Sequence, residues 1–320
     1  MPPAIPARAR RHPARLPRAI VTGGAGFIGS HLVDRLLAEG FAVLVVDDLS
    51  TGNQENVPDE ARLERCDVAS AELGDLFRRW RAGIVYHLAA QASVPLSIRD
   101  PLRDVAVNVI GTHRVTAAAR DVGAGRLVFV SSGGAVYGET RRPATEETRP
   151  APSSYYGVHK LAAEGHVALA GLPFAILRPS NVYGPRQVGG LEGAVVAAFL
   201  EQASRQGTLV LHGDGCQTRD LVHVRDLVEA LWRLAQPDAP VGTWNVSSGR
   251  SVTIAGLADS VERVFGHPLG RRFVAPRPGD VARSAISPAR LRRAGWRPSV
   301  PLSAGLGELV RLTGAADGSV

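Results

Sequence analysis

The feature that most constrains the fold is a glycine-spaced turn wedged between two apolar runs. Residues 19–22 are β-branched or small, Thr22-Gly23-Gly24-Ala25-Gly26-Phe27-Ile28-Gly29 follows at once, and residues 28–38 continue with helical periodicity. Strand, GxxGxxG turn and helix in that order build a dinucleotide cradle: Gly23 and Gly26 permit a tight turn and close approach of backbone to a pyrophosphate, and Gly29 lets helix and strand pack closely. The first helical residues, Phe27 and Ile28, then present their amides to the phosphates. About 20 residues on, where a carboxylate grips the adenosine ribose, Asp47 ends the next apolar run. A carboxylate there repels the extra 2′-phosphate of NADP and no arginine follows closely, so NAD is the favoured cofactor. Asp67 and Val68 follow the third strand at a position able to meet adenine.

The same rhythm continues along the chain. Runs of strand length at 42–46, 84–87, 127–131 and 174–177 alternate with helical stretches at 101–121 and 155–170. Alternation of this kind implies right-handed βαβ units and a parallel sheet covered on both faces. The expected fold is therefore α/β, a Rossmann-type doubly wound parallel sheet with a smaller C-terminal α/β substrate-binding lobe. After residue 178, Gly184-Pro185, Gly189-Gly190 and Gly213 to Gly215 loosen the pattern. Residues 18–178 read as the NAD-binding domain, and 179–320 mainly as the substrate lobe, exchanging elements with the first. Residues 138–152 read as a surface loop.

Composition removes several alternatives. The net charge of +7 resembles a nucleic-acid signal, but Arg8, Arg10, Arg11, Arg15 and Arg18 lie in an acid-free N-terminal stretch and supply five of those seven charges. Residues 1–17, rich in Pro, Ala and Arg, read as a disordered basic tail; no nucleic-acid partner is expected. No apolar run is long enough to span a membrane and no signal-peptide pattern is present, so a cytoplasmic location is expected. Cys66 and Cys216 lie far apart and in no CxxC pattern, which suggests neither a disulfide nor a metal site.

The chain has 36 arginines and a single lysine, Lys160. A bias this strong leaves lysine where a compact ammonium of adjustable pKa is wanted instead of a permanently charged guanidinium. Tyr156 stands four residues earlier at the head of a predicted helix, on the same face. A phenol titrates near pH 10, but an adjacent ammonium favours the phenolate. Tyr plus Lys beside a nicotinamide is thus a general acid/base suited to taking a hydroxyl proton as hydride leaves the same carbon.

With these residues in place the chain resembles the extended short-chain dehydrogenase/reductases, and within them the nucleotide-sugar epimerases similar to UDP-glucose 4-epimerase, from residue 18 to about 310. The motifs are His87-Leu88-Ala89-Ala90, the Asn108 helix, Ser131 to Gly138, Tyr156 to Lys160, Arg178 to Gln187, Gly213-Asp214-Gly215 with Thr218-Arg219-Asp220, and Arg277 to Asp280. The resemblance implies that Leu88, Ala89, Ala90 and Asn108 line the NAD and that Lys160 also holds the nicotinamide ribose. It implies that Asn181, Arg219 and Arg277 bind the diphosphate of a UDP-sugar, with Ser93, Arg186 and Val195 also in the substrate site. It further implies a homodimer through a four-helix interface built from 101–121 and 155–170.

One departure stands out. The family's usual Ser or Thr, four residues before the tyrosine of the VYG segment, falls on Gly133, so Ser132 is expected to share the proton relay. A serine at 133 is expected to restore or raise activity if the backbone there tolerates a Cβ. The slots where dehydratases and decarboxylases of the family place acids are Gly134 and Ala135, which leaves 4-epimerisation through a 4-keto sugar as the simplest reaction, with uronic acid 4-epimerisation, a one-way dehydrogenase or reductase, or a catalytically weak NAD-binding regulator as the alternatives. Ser284, seven residues after Arg277, falls where a bulky tyrosine excludes N-acetyl groups; a serine predicts that UDP-N-acetylhexosamines are accepted too.

Overall fold

The computed structural model describes residues 16–140, 142–188, 194–276 and 281–312. Strand β1 (Arg18–Thr22) leads through the glycine turn into α1 (Phe27–Ala38), and β2 (Ala42–Asp47), β3 (Arg62–Arg65), α2 (Leu73–Trp80) and β4 (Ile84–His87) follow. Next come α3 (Val94–Arg99), α4 (Pro101–Val105) and α5 (Thr112–Asp121), with Ala106–Gly111 between the last two in a π-helical turn. Then β5 (Arg126–Val130), α6 (Gly133–Tyr137), α7 (Tyr155–Ala168) and β6 (Phe174–Pro179) complete the first half. The second half runs β7 (Asn181–Tyr183), α8 (Val195–Gln206), β8 (Thr208–His212), β9 (Thr218–His223), α9 (Val224–Leu234), β10 (Gly242–Val246) and β11 (Ser251–Thr253). It closes with α10 (Ile254–Phe265), β12 (Gly270–Val274), β13 (Arg283–Ser284), α11 (Ala289–Arg293) and α12 (Leu302–Leu312).

Seven strands form one parallel sheet in the order β10-β6-β5-β4-β1-β2-β3. The chain winds outward from β1 through β2 and β3, then restarts on the other side of β1 with β4. That reversal opens a crevice at the carboxyl ends of β1 and β4, where doubly wound sheets hold their ligands. Strand β10, from late in the chain, lies beside β6. The strands are apolar on both sides because both faces are covered. One face packs Leu32, Val33 and Leu36 of α1 with Leu227 and Leu231 of α9 and the buried Trp244 and Trp296. The other packs Phe77 of α2, Val115 of α5, and Ala163 and Val167 of α7.

A third core, with Phe199, Leu200, Leu257, Val261 and Leu306, lies in the second half of the chain. There β9 pairs with β7, β11 and β13, and β8 with β12.

The single helix predicted over 101–121 is broken by its π-helical turn, inside which the Thr112 hydroxyl donates to the Asn108 carbonyl at 2.7 Å. Single π-turns of this kind cluster at functional sites, and here Asn108 is left 2% exposed. The stretch 138–152 is largely irregular as expected, yet Ala144 in it is buried and bridges to Ile286. No helix among the described residues is long and apolar enough to cross a membrane.

Candidate active site

At the cofactor end, Gly23 has φ +71, and a Cβ there would lie 2.6 Å from the Ala89 amide nitrogen. A Cβ on Gly29 would lie 2.0 Å from the Gly23 carbonyl, so the α1–β1 contact requires glycine. On Gly26 a Cβ would meet only that same carbonyl, at 3.3 Å, so the outer side of the turn is open, as a diphosphate needs. Gly26 is also the N-cap of α1 and supplies no side-chain bond, which leaves the amides of the first turn to a ligand. Asp47 ends β2 nearly buried, its two oxygens accepting from the Ala25 and Leu49 amides at 3.0 and 2.9 Å. Burial pushes its carboxyl upward while these amides oppose the shift. Leu49 adopts a left-handed φ of 59 to reach it. Asp67 caps its own turn by accepting from the Ala69 amide, and Val68 is buried against Gly111. These residues fit an NAD molecule laid across the crevice.

The far wall of that crevice is registered by a buried chain. The Ala89 amide donates to Thr22 Oγ1, Thr22 meets His87 Nδ1 at 2.7 Å, and His87 Nε2 meets Thr112 Oγ1 at 2.9 Å. Thr112 spends its proton on the Asn108 carbonyl, so the His87 proton sits on Nε2 and Nδ1 accepts from Thr22. Burial holds the ring neutral, its pKa pulled down to about 3. The Leu88 amide donates to the Thr22 carbonyl, which sets Leu88, Ala89 and Ala90 beside the glycine turn.

Helix α7 starts where Ser154 caps the Gly157 amide, and places Tyr156 and Lys160 one turn apart. Lys160 is 2% exposed; its Nζ donates to the Val130 carbonyl at 2.7 Å and lies 4.3 Å from the centre of the Phe129 ring, on which His87 also stacks. Burial lowers its pKa to about 7, opposed by the charges of Glu164 and Asp104. Tyr156 is half-buried and its amide donates to Ser97 Oγ. Ser132, also half-buried, caps the short α6 by accepting from the Ala135 amide, which leaves its hydroxyl proton for another partner.

Gly133 is buried, and a Cβ there would lie 2.7 Å from the Ile286 Cδ1 methyl and 3.0 Å from the Pro179 carbonyl. The activity expected from a serine at 133 therefore meets a steric obstacle. Added atoms press on the β6 backbone, and the glycine is explained by packing.

Of the residues expected to hold the substrate, Asn181 of β7 and Arg219 of β9 are half-buried. Arg219 Nη1 donates to the Thr218 and Val281 carbonyls. Ser284 of β13 stands opposite Arg219 in register. A Cβ on Gly134 would lie 3.1 Å from Ser284 Oγ, so β13 faces the α6 segment that carries Ser132. Ser93 caps α3 and is held by Gln91, and Val195 is the first residue of α8. Arg186 is not gathered with Asn181 and Arg219: it adopts φ 64 and pairs with Asp34 of α1 at 2.8 Å. Arg277 lies outside the described residues. Among the described residues no cluster of His, Cys, Asp or Glu is arranged to hold a metal, and Cys66 and Cys216 are both free.

Residues 19–247 match the NAD dependent epimerase/dehydratase family. The chain belongs to that family. It is 40% identical over 304 residues to the UDP-glucose 4-epimerase of Mycolicibacterium smegmatis, covering 92% of this chain and 97% of that one. The Thermus thermophilus UDP-glucose 4-epimerase in complex with NAD superposes with a TM-score of 0.87 at 40% identity, over 95% of this chain and 100% of its own. The UDP-N-acetylglucosamine 4-epimerase of Methanobrevibacter ruminantium, in complex with UDP-N-acetylmuramic acid, gives a TM-score of 0.86 at 30% identity, over 93% of this chain and 98% of its own.

Sequence reasoning missed the polar scaffold beneath this family member's site. Ser131 Oγ donates to Glu164 Oε1 at 2.6 Å, and Arg178 grips both Glu164 oxygens at 2.9 and 2.5 Å. Arg178 also donates to the Tyr137 hydroxyl, which donates to Asn245 Oδ1. One signal was present: Glu164 repeats the four-residue spacing of Tyr156 and Lys160, which puts an acid on the same buried face. Asp220 is likewise buried, accepting from the Ser180 hydroxyl and from the Ser248 amide and hydroxyl. It pins β9 while its neighbour Arg219 points the other way.

Proposed function

We propose that this chain epimerises UDP-sugars at C4 with NAD, accepting both plain hexoses and N-acetylhexosamines. The observation that carries this reading is the buried Lys160, one turn from Tyr156 beside the crevice at the strand ends. Glycine and alanine stand at 134 and 135, where a further acid or base would be needed for dehydration or decarboxylation. Tyr156 takes the proton of the C4 hydroxyl and returns it, with Lys160 holding the phenolate and Ser132 placed to hydrogen-bond the same oxygen. NAD, when bound, supplies the hydride acceptor and donor. Asn181 and Arg219, with Arg277, hold the diphosphate, so the sugar alone is free to turn between the two transfers. The M. smegmatis and T. thermophilus relatives support the hexose, and the M. ruminantium relative supports the acetylated sugar. Incubation with a panel of UDP-sugars, with products read by NMR, tests this. Interconversion of C4 epimers is expected; a dehydrated or decarboxylated product, or none, overturns it.

The enzyme is further proposed to act as a homodimer. Ile98, Leu102, Ile110, Tyr155, Val158 and Leu169 are exposed on the helices of 94–121 and on or just beyond α7, a concentration of apolar side chains suited to a partner surface. Leu102→Glu should turn a dimer into a monomer by light scattering, and a monomeric wild type removes the proposal.

A further inference from the structure

Two buried carboxylates flank the Tyr156–Lys160 turn, and they are bound differently. Glu164 is matched by the Arg178 guanidinium. Asp104, fully buried on α4, is held by two amides and an imidazole. One oxygen accepts from Gln91 Nε2 at 2.6 Å and Asn108 Nδ2 at 3.1 Å, and the other meets His159 Nδ1 at 2.5 Å.

Each of these groups belongs to a different wall of the site. Gln91 follows Leu88–Ala90 and also holds Ser93 through the Ser93 amide and carbonyl. Asn108 is the buried polar residue of the π-turn, and His159 immediately precedes Lys160. An ionised carboxylate only accepts hydrogen bonds, so Asp104 dictates which way the Asn108 amide points. Nδ2 turns to Asp104 and the Gln91 carbonyl, while Oδ1 is left buried without a partner among the described residues.

We propose that Asp104 is a positioning residue for the reaction: its carboxylate orients Asn108, Gln91 and the His159–Lys160 turn. The inference rests on reading Tyr156 and Lys160 as the acid/base pair. Burial alone drives Lys160 toward the neutral amine, and Glu164 and Asp104 are the groups that oppose it. His87, across Phe129, is neutral and adds no charge at working pH. Glu164 is the stronger of the two and Asp104 adds to it, with His159 the titratable group that faces the Asp104 carboxylate directly.

Lys160 is the only lysine, so isotope-labelled lysine gives one side-chain NMR signal that reports its protonation in the free protein, with no turnover measured. In Asp104→Asn the midpoint of that signal should fall by about one pH unit. The rate constant kcat should fall roughly tenfold to a hundredfold with KM little changed, and its alkaline limb should move to lower pH. Gln91→Met removes a donor but keeps the charge, so it should lower kcat while leaving the lysine midpoint in place. An undiminished kcat in a folded Asp104→Asn protein overturns the positioning role, even if its Tm drops, and an unmoved lysine midpoint removes Asp104 from the groups that hold the Lys160 charge. Should that variant not fold, an undiminished kcat in Gln91→Met overturns the positioning role. If the wild type turns over no UDP-sugar, the functional reading fails, and the lysine titration still decides whether Asp104 is coupled to Lys160.

Discussion

The two halves of the site are built by different means. In the cofactor half, Gly23, Asp47 and Leu88 sit at the ends of neighbouring strands in one parallel sheet, and Gly29 lies in the first turn of the helix that follows, each placed by the backbone. In the substrate half, Asn181, Arg219 and Ser284 come from β7, β9 and β13, short strands distant in sequence that meet only because β9 pairs with the other two. The first is over-determined, because a Cβ at Gly29 collides with the turn itself. The second rests on a few ladder bonds and on Asp220. Chemistry in the first half should therefore fail outright when disturbed, and specificity in the second should shift by degrees.

The largest effect tests the all-or-none side. Tyr156→Phe should reduce turnover by about a thousandfold or more, since it removes the proton-transferring atom and leaves the ring in place. NAD affinity, read by titration, should stay within a few-fold of wild type. Activity within tenfold of wild type would move the acid/base role elsewhere.

That the cofactor half was readable follows from where its information lies. Gly23 to Gly29 and Asp47 announce strand, turn and helix locally, and the alternation of apolar runs gives the parallel sheet. The π-turn around Asn108 was not readable, because the helical period of 101–121 is unbroken in residue type. Glu164 and Asp104 look like solvated helix charges until packing buries them. Arg186 belongs to a motif beside Asn181, yet its guanidinium is taken by Asp34, more than a hundred residues away. Ser284, by contrast, was reached by counting along the chain, and its contact with the α6 segment depends on the β13–β9 register.

Acid should separate the halves next. His87 in the cofactor half and His223 in the substrate half are both buried and neutral, with pKa values pulled down by burial to about 3 and about 4. An unfolded histidine titrates near 6.5, so the unfolded state binds the extra proton first, and stability is lost as pH falls from about 6.5 toward those values. For His87, with both ring nitrogens committed to threonines, the loss is on the order of 4 kcal/mol by pH 3. For His223 it should be smaller, because Glu308 lies 3.6 Å from Nε2 and can meet a proton there. Thermal unfolding followed across that range should show His87→Asn flattening the acid slope more than His223→Asn. The reverse order would place the acid-sensitive contact in the substrate half.

The smallest effect is the one that defines the graded side. Ser284 lies in register with Arg219 and its hydroxyl is near the position a Gly134 side chain would take, so residue 284 extends toward α6. Its neighbour Arg283 alternates to the exposed face of β13, which leaves the inner space to Ser284 alone. Small groups at both 134 and 284 make room for an acetamido substituent, and the Ser284 hydroxyl offers it a hydrogen bond. A tyrosine at 284 would fill that room. Ser284→Tyr should therefore cut kcat/KM for UDP-N-acetylglucosamine roughly tenfold or more relative to UDP-glucose, while UDP-glucose turnover stays within a few-fold. If both sugars lose activity together, β13 is supporting the diphosphate site as a whole. If the ratio does not move, the C2 substituent lies elsewhere and Ser284 does not gate it.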